Sequence, residues 1–384
     1  MSPERPGRRV PLPGGAWAHV PHPLPPELTW TPTLVRALSD ADRLIGRLSG
    51  EGARLPNPHV LMRPFIRREA VLSSRIEGTQ ATLGELLASE AGLAVDRSPA
   101  DLREVGNYVT ALEHGIKRLG ELPLSLRLLR ELHERLLRGV RGNRATPGEF
   151  RTIQNWIGIP GATLANATYV PPPPGELMAC LGAWEQFLHE RTWPPLVQVA
   201  LAHYQFEAIH PFIDGNGRVG RLLITLFLIE RAVLPTPLLY LSAFFEATRQ
   251  DYYAGLRGVT ERGEWGAWLV YFLNGVARQS EDALGRATRI NATLEGWRRE
   301  VAGRGARAAL RLVDLLAENP YCTVKRTVGK LSVAFTTAQR AVDTLVRADI
   351  LRQVGEARRD RAYCATALLA ILEEPASIVP AEPP

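Results

Sequence analysis

LVQVALAHYQFEAIHPFIDGNGRVGRLLITLFLIE, residues 196–230, is the stretch on which the reading of this chain turns. Its two ends are apolar segments of helical spacing. Between them HPFIDGNGRVGR, residues 210–221, holds an imidazole, a carboxylate, three glycines, an amide and two guanidiniums. Pro211 and Gly215 break the first helix, and the second begins at Gly217 or Arg218, so a glycine loop delivers free backbone N–H groups at a helix N-terminus. That is a ready anion site. Arg218 and Arg221 are three apart and share one face of the first turn. Two guanidinium forks beside a nest of N–H groups suit a di- or triphosphate. Asp214, next to the nest, is a candidate Mg²⁺ ligand against phosphate oxygens. His210 is a candidate acceptor for the proton of an attacking hydroxyl near neutral pH. Gly215 to Gly220 also matches G-x-G-x-x-G, but the preceding segment is helical and no acidic residue follows about 20 positions on, which argues against a dinucleotide fold.

Outward from this segment the chain is mainly α. Residues 1–27 are rich in Pro and Gly and lack apolar periodicity, which predicts an extended N-terminal arm. From 28 to 300 the helical pattern dominates, with Leu34, Leu38, Leu44 and Leu48 and again Leu126, Leu129, Leu132 and Leu136 at helical spacing. The exception is 150–170, FRTIQNWIGIPGATLANATYV, whose β-branched and aromatic residues around a Gly/Pro/Asn-rich middle predict a short β-hairpin closed by Pro171 to Pro174. Residues 301–306, VAGRGA, read as a linker. Residues 306–370 then read helix, helix, helix and two short strands, with Thr337 capping the third helix and Asn319-Pro320 ending the first. This is the order of a winged helix-turn-helix with GEARRD, 355–360, as the wing tip.

Composition limits the function classes. The charged fraction of 22% and hydrophobic fraction of 45% exclude a disordered chain, a fibre or a disulfide scaffold. The most apolar run, Leu222 to Ile229, has eight residues where a bilayer needs about 20, so no membrane association is expected. The N-terminus has no apolar h-region, and Cys180, Cys322 and Cys364 lie far apart, which together predict a cytoplasmic protein. The 46 Lys and Arg against 40 Asp and Glu permit an acidic partner without identifying one.

The twelve ordered positions of 210–221 resemble the Fic (Fic/Doc) family motif, His-Pro-Phe-x-acid-Gly-Asn-Gly-Arg-x-x-Arg. The resemblance implies a Fic-type helical domain that transfers AMP from ATP, with Mg²⁺, onto a Ser, Thr or Tyr hydroxyl of a target protein, the chain itself included. Carried over by position, it makes His210 the general base and Asp214 the metal ligand. Gly215, Asn216, Gly217 and Arg218 would hold the α- and β-phosphates and Arg221 the γ-phosphate. The segment from Arg151 to Gly158 resembles the family's flap, over which a target segment docks by strand addition. Ile157, Gly158, Ile159 and Pro160 are its expected docking and nucleotide-facing residues. LLYLSAFFEATRQDYYAGL, 238–256, resembles the helix that carries an adenine-contacting Tyr253, although Thr260 stands where many relatives have Asn. Upstream, Ser73-Ser74-Arg75-Ile76-Glu77-Gly78 resembles the family's inhibitory helix, in which Ser73 and Glu77 share one face and the Glu pairs with Arg221 to displace the γ-phosphate. The organisation expected is an arm over 1–27, a helical region with the inhibitory helix over 28–110, a Fic catalytic domain over 111–300 and the winged helix over 306–370. For that last unit, DNA binding through Gln339, Arg340, Thr344 or Arg347 and the wing residues Arg358, Arg359 and Arg361 stands beside a packing or homodimer role. Three alternatives remain open at this level: removal of AMP by water activated at Glu77, transfer of another phosphoryl moiety, and a DNA-bound regulator whose Fic site senses nucleotide.

Overall fold

Helical segments separated by prolines, glycines and capping hydroxyls make the fold mainly helical, as the periodicity predicts. The structure, a computed structural model, describes residues 6–53, 58–140, 146–159, 161–302, 307–355 and 360–378. A hairpin of β1 (Gly7–Pro11) and β2 (Trp17–Pro21) comes first. Then follow α1 (Pro32–Ala53), α2 (Pro58–Ile76), α3 (Leu83–Glu90), α4 (Pro99–Arg118) and α5 (Leu126–Leu136). After the 150–173 loop come α6 (Pro174–His189), α7 (Pro195–Ile209), α8 (Asn216–Glu230), α9 (Ser242–Ala247), α10 (Arg249–Arg262) and the long α11 (Trp265–Ala302). The C-terminal part holds α12 (Arg307–Glu318), β3 (Tyr321–Thr323), α13 (Val324–Leu331), α14 (Phe335–Arg347), β4 (Arg352–Val354), β5 (Ala362–Cys364) and α15 (Thr366–Glu373).

The starts of these helices follow from local chemistry. α1, α2, α4, α6 and α7 each open on proline, which fills a first-turn position where no N–H partner exists. Thr82 and Glu85 form a reciprocal capping box at α3, and Ser98 and Ser125 cap α4 and α5. At the centre lie α7 and α8. Thirteen of fifteen residues of α7 are buried, so it is a core helix enclosed on all sides, with Gln198, His203 and Gln205 among the buried residues. It packs on α6, α8 and α11, while α8 also touches α2, α4 and α5. The C-terminus of α7, the N-terminus of α8 and the C-terminus of α2 therefore meet at one place.

Three expectations change. Within the arm expected over 1–27, residues 7–21 form a β-hairpin, paired from Gly7↔Pro21 to Pro11↔Trp17 and seated on α6 and α7, while 1–5 lie outside the described residues. Ala18 and Val20 are buried, His19 N–H bonds Val170 O at 2.8 Å, and Gln205 Nε2 bonds His22 O at 2.8 Å. Its strands are too short, and too closely bounded by Pro and Gly, to show as a period in sequence. The 150–170 hairpin is a single bridge, Ile157↔Tyr169, with a 3₁₀ turn at Leu164–Asn166. A longer ladder cannot form because Pro171 and Pro172 lack N–H groups, and Arg151 and Gln154 side chains take carbonyls that a strand would use. Thr337 lies inside α14 rather than capping it; Ala334 is the N-cap and offers no side-chain bond.

In the C-terminal part the expected order gains a strand. β3 joins β5 and β4 in an antiparallel sheet of order β3-β5-β4, with Thr323 capping α13. The residues 356–359 of the expected wing tip, Arg358 and Arg359 among them, lie outside the described residues, as do 303–306 of the expected linker. α12 packs on α2 and α11, and α15 returns over α2, α3 and α11. Arg286 of α11, 1% exposed, anchors that return by donating to the carbonyls of Ile371, Glu374 and Pro375.

Candidate active site

The turn between α7 and α8 is built by its own sequence. His210 adopts a left-handed conformation (φ 49°) and ends α7; Gly215 (φ 80°) caps α8 in a conformation that glycine takes without strain. Asn216, 2% exposed, closes the turn by accepting from Phe212 N–H and donating to Phe212 O, both at 2.8 Å. One N–H and one lone pair of its amide are spent there, which fixes the side chain against the turn. The fully buried Phe212 ring stacks on His133 at 3.8 Å. His133 Nδ1 accepts from Gly148 N–H, so Nε2 is the protonated nitrogen and donates to Asp214 O at 3.0 Å. Burial pushes this imidazole down to about 4, and it is neutral at ordinary pH. From the other side the buried Arg151 donates to the carbonyls of His210 (2.9 Å), Pro172 (2.6 Å) and Ile209, and Asn155 Nδ2 donates to Phe212 O.

His210 itself bonds Glu207 O through Nδ1 at 3.3 Å. A carbonyl only accepts, so Nδ1 carries the proton and Nε2 presents a lone pair. Burial, aided by the Arg151 charge and opposed by the Glu207 carbonyl, Glu77 and Asp214, pushes His210 down to about 4. The imidazole is therefore neutral and able to take a proton. Asp214 is open, its side chain 48% exposed, with Oδ1 accepting from Gly215 N–H at 2.7 Å.

Both arginines of the motif are buried and both face a carboxylate. Arg221 Nε donates to Ser73 Oγ at 2.8 Å, and Nη2 donates to Ser73 O at 2.9 Å and Glu77 Oε1 at 2.7 Å. The Arg221–Glu77 pair is single-pronged, with Ser73 taking the second edge. Burial pushes the Glu77 carboxyl up, but Arg221 outweighs it, joined by Arg218 and His210, and holds it below the usual carboxylate range. A Cβ on Gly217 would collide with Glu77 Oε1, so only glycine lets the carboxylate sit this close to α8. Arg218 donates through Nη1 to Glu104 Oε1 at 2.5 Å. Glu207, beside Gly220, is pushed up to about 7 by burial, with Arg221 opposing and Glu77 adding.

The remaining expected residues are mostly exposed. Ile157 and Ile159 of the flap are exposed, 38% and 75%, and Gly158 is exposed between them; Pro160 lies outside the described residues. Tyr253 is 45% exposed and close enough to Glu77 and Arg221 to feel both charges, whereas Tyr252 is buried and bonds His203. Thr260 is spent on Tyr204 OH and Leu256 O. Sequence reasoning missed Glu104, His133 and Glu207 as members of the site. Glu207 stands three residues before His210, while Glu104 and His133 lie in amphipathic helices with no local mark to single them out.

Residues 35–117 match the description "Fic/DOC family N-terminal" and residues 123–228 match "Fic/DOC family". The chain is similar to the protein adenylyltransferases Fic of Drosophila yakuba (32% identity over 169 residues) and Drosophila melanogaster (31% over 169). Each match covers 42% of this chain and 31% or 32% of the fly protein, so the chain spans about a third of the length of these curated relatives. Among solved structures, a Fic family protein from Desulfovibrio desulfuricans G20 superposes with a TM-score of 0.59 at 20% identity, covering 89% of this chain and 98% of that one, which shows a shared fold.

Proposed function

Because this chain is a Fic/DOC-domain protein, we propose that it transfers AMP from ATP to a Ser, Thr or Tyr hydroxyl of a target protein, itself included, and that Glu77 holds this activity down. The observation that carries the reading is one juxtaposition. A neutral imidazole, with Nδ1 locked on Glu207 O, lies at one end of a turn whose other end opens into two buried guanidiniums on the first turns of α8.

In this mechanism His210 Nε2 accepts the hydroxyl proton while the target oxygen bonds the α-phosphorus and the bond to the β-phosphate oxygen breaks, releasing pyrophosphate. The N–H groups of Gly215, Asn216 and Gly217 with Arg218 hold the α- and β-phosphates, and Arg221 the γ-phosphate, once Glu77 gives way. Among the described residues no three His, Cys, Asp or Glu side chains cluster as metal ligands. A single exposed carboxylate beside a phosphate site does suit Mg²⁺, which is usually held by one or two carboxylates plus substrate oxygens, and Asp214 is that residue. Mg²⁺ so held would neutralise charge on the phosphates. The exposed backbone around Ile157 to Ile159 is read as the docking edge for the target segment, with Tyr253 against the adenine.

In this reading 28–110 brings the inhibitory helix, 111–300 is the catalytic unit and 306–370 a winged-helix appendage, the last supported by its helix–strand–helix–helix–strand–strand order. Three free thiols support a reducing, cytoplasmic setting. The test is label transfer to protein from α-³²P-ATP and, separately, γ-³²P-ATP. Adenylylation predicts α-label only, stronger in Glu77→Gly than in wild type and absent in His210→Ala. Label from the γ-position, or none in Glu77→Gly, overturns it.

A further inference from the structure

The two acids that face the motif arginines are not equivalent. Glu77 ends the inhibitory helix, precedes Gly78 (φ 98°), and has a side chain 34% exposed. Glu104 sits inside α4, with a side chain 10% exposed, against an Arg218 side chain 4% exposed. Glu104 Oε1 accepts from Arg218 Nη1 at 2.5 Å and also from Thr79 Oγ1 at 3.2 Å. Thr79 follows the inhibitory motif directly and is itself buried. A carboxylate anchored by helix interior, burial and a second donor cannot swing away as one at a helix end can.

What Glu104 leaves unused is informative. Of the two edges by which a guanidinium can grip an anion two-pronged, Nε–Nη2 and Nη1–Nη2, Glu104 takes one atom of the second and leaves the Nε–Nη2 edge uncontacted. Arg218 Nε is buried and has no partner among the described residues. Nη2 stands 3.7 Å from Asp214 Oδ1, outside hydrogen-bond reach. A buried N–H without an acceptor is unfavourable, and in native proteins such groups mark places where something else supplies the acceptor. Here the open edge belongs to an arginine at the N-terminus of α8, beside the Gly215 nest, where an anion is favoured.

We propose that Glu104 is a positioning residue: it grips Arg218 through Nη1 alone and so presents the Nε–Nη2 edge to a nucleotide phosphate, staying in place while Glu77 is displaced. Resting on the phosphate-site reading above, this divides the acids into an exchangeable one and a permanent one. Glu104 also keeps the buried guanidinium compensated when no nucleotide is bound, at the small loss of a negative charge near the incoming phosphate. The arrangement joins the exit of the inhibitory helix to the phosphate site through Thr79.

The test is calorimetric binding of ATP, ADP and adenosine to the full chain carrying Glu77→Gly. Adding Glu104→Ala should weaken ATP and ADP about tenfold each, roughly one charge-assisted hydrogen bond of orientation, and leave adenosine unchanged. Glu104→Gln keeps an acceptor for Nη1 and should restore ATP and ADP to within about threefold of the parent, since most of the effect lies in orientation. If Glu104→Ala does not fold, Glu104→Asp, which draws the acceptor back by one methylene, should show the same phosphate-selective loss. Arg218→Ala separates the two readings. If it weakens ATP and ADP but the Glu104 variants do not, or if they weaken adenosine equally, the positioning role is wrong. If Arg218→Ala leaves ATP untouched, the phosphate site itself is misassigned.

Discussion

Replacing Arg151 by Met should leave the protein folded and remove most of the transfer activity proposed above. Met keeps the aliphatic stem and deletes every N–H of a guanidinium that is 3% exposed. Burial pushes that guanidinium well below its ordinary range, to about 10. At 1.36 kcal/mol per pH unit this is an unfavourable ~3 kcal/mol that Met does not carry. Against it stand two short bonds, to His210 O at 2.9 Å and Pro172 O at 2.6 Å, worth ~1.5–3 kcal/mol each for a charged donor. The difference is a destabilisation of about 0–3 kcal/mol, a few degrees in Tm for a chain of this size. Activity should respond differently, because His210 O would keep only the 3.3 Å bond from Asn155 Nδ2. His210 is held in a left-handed conformation that residues other than glycine take uncommonly, and releasing this tether lets Nε2 drift from the hydroxyl. A displacement of 1 Å costs about 10²-fold. The assay is α-³²P label incorporation by Arg151→Met in a Glu77→Gly background, beside ATP binding and thermal melting. A folded variant that still transfers within twofold of its parent refutes the tethering argument.

Other expectations are more direct. The double variant Glu77→Gly with His210→Ala should fall to background label, because relieving Glu77 cannot replace the base; activity near that of Glu77→Gly would remove His210 from its role. Arg221→Ala should weaken ATP more than ADP, since Arg221 lies one turn beyond the glycine nest, and equal losses by calorimetry would contradict that order. Stability should fall on acidification. His133 and His203 are pushed by burial to about 4 and about 3, below the ordinary 6.5, so the unfolded chain binds more protons than the native one as pH drops. The stability present above about pH 6.5 is then lost towards those lower values, about 2 kcal/mol per histidine by pH 5. A urea midpoint unchanged between pH 7 and 5 would count against it.

Much of the site is legible in sequence because its chemistry is local. His210, Asp214, Gly215, Arg218 and Arg221 fall within one turn and two helical turns, so spacing alone places them together. The periodicity of 28–300 likewise gives helices, since a buried helix must show its apolar face every three or four residues. Ser73 and Glu77 share a face by the same rule, although that this face meets Arg221 came from the resemblance. The N-terminal hairpin leaves no period in sequence because its strands are only five residues long, and the flap has a single bridge because the Arg151 and Gln154 side chains take the carbonyls of Pro172 and Pro171.

Amino-acid order alone determined the helical class, the anion-binding turn and the positions of the groups able to react there. Tertiary structure decided which of those groups are free. Arg221 is closed by a carboxylate 144 residues away, Arg218 is held through Nη1 alone by another 114 residues away, and Asn216 is turned inward on Phe212. The physical reason is burial. A guanidinium removed from water must find acceptors, and for Arg218 and Arg221 these are the acids that the packing of α2 and α4 against α8 brings up, an encounter no spacing in the chain encodes.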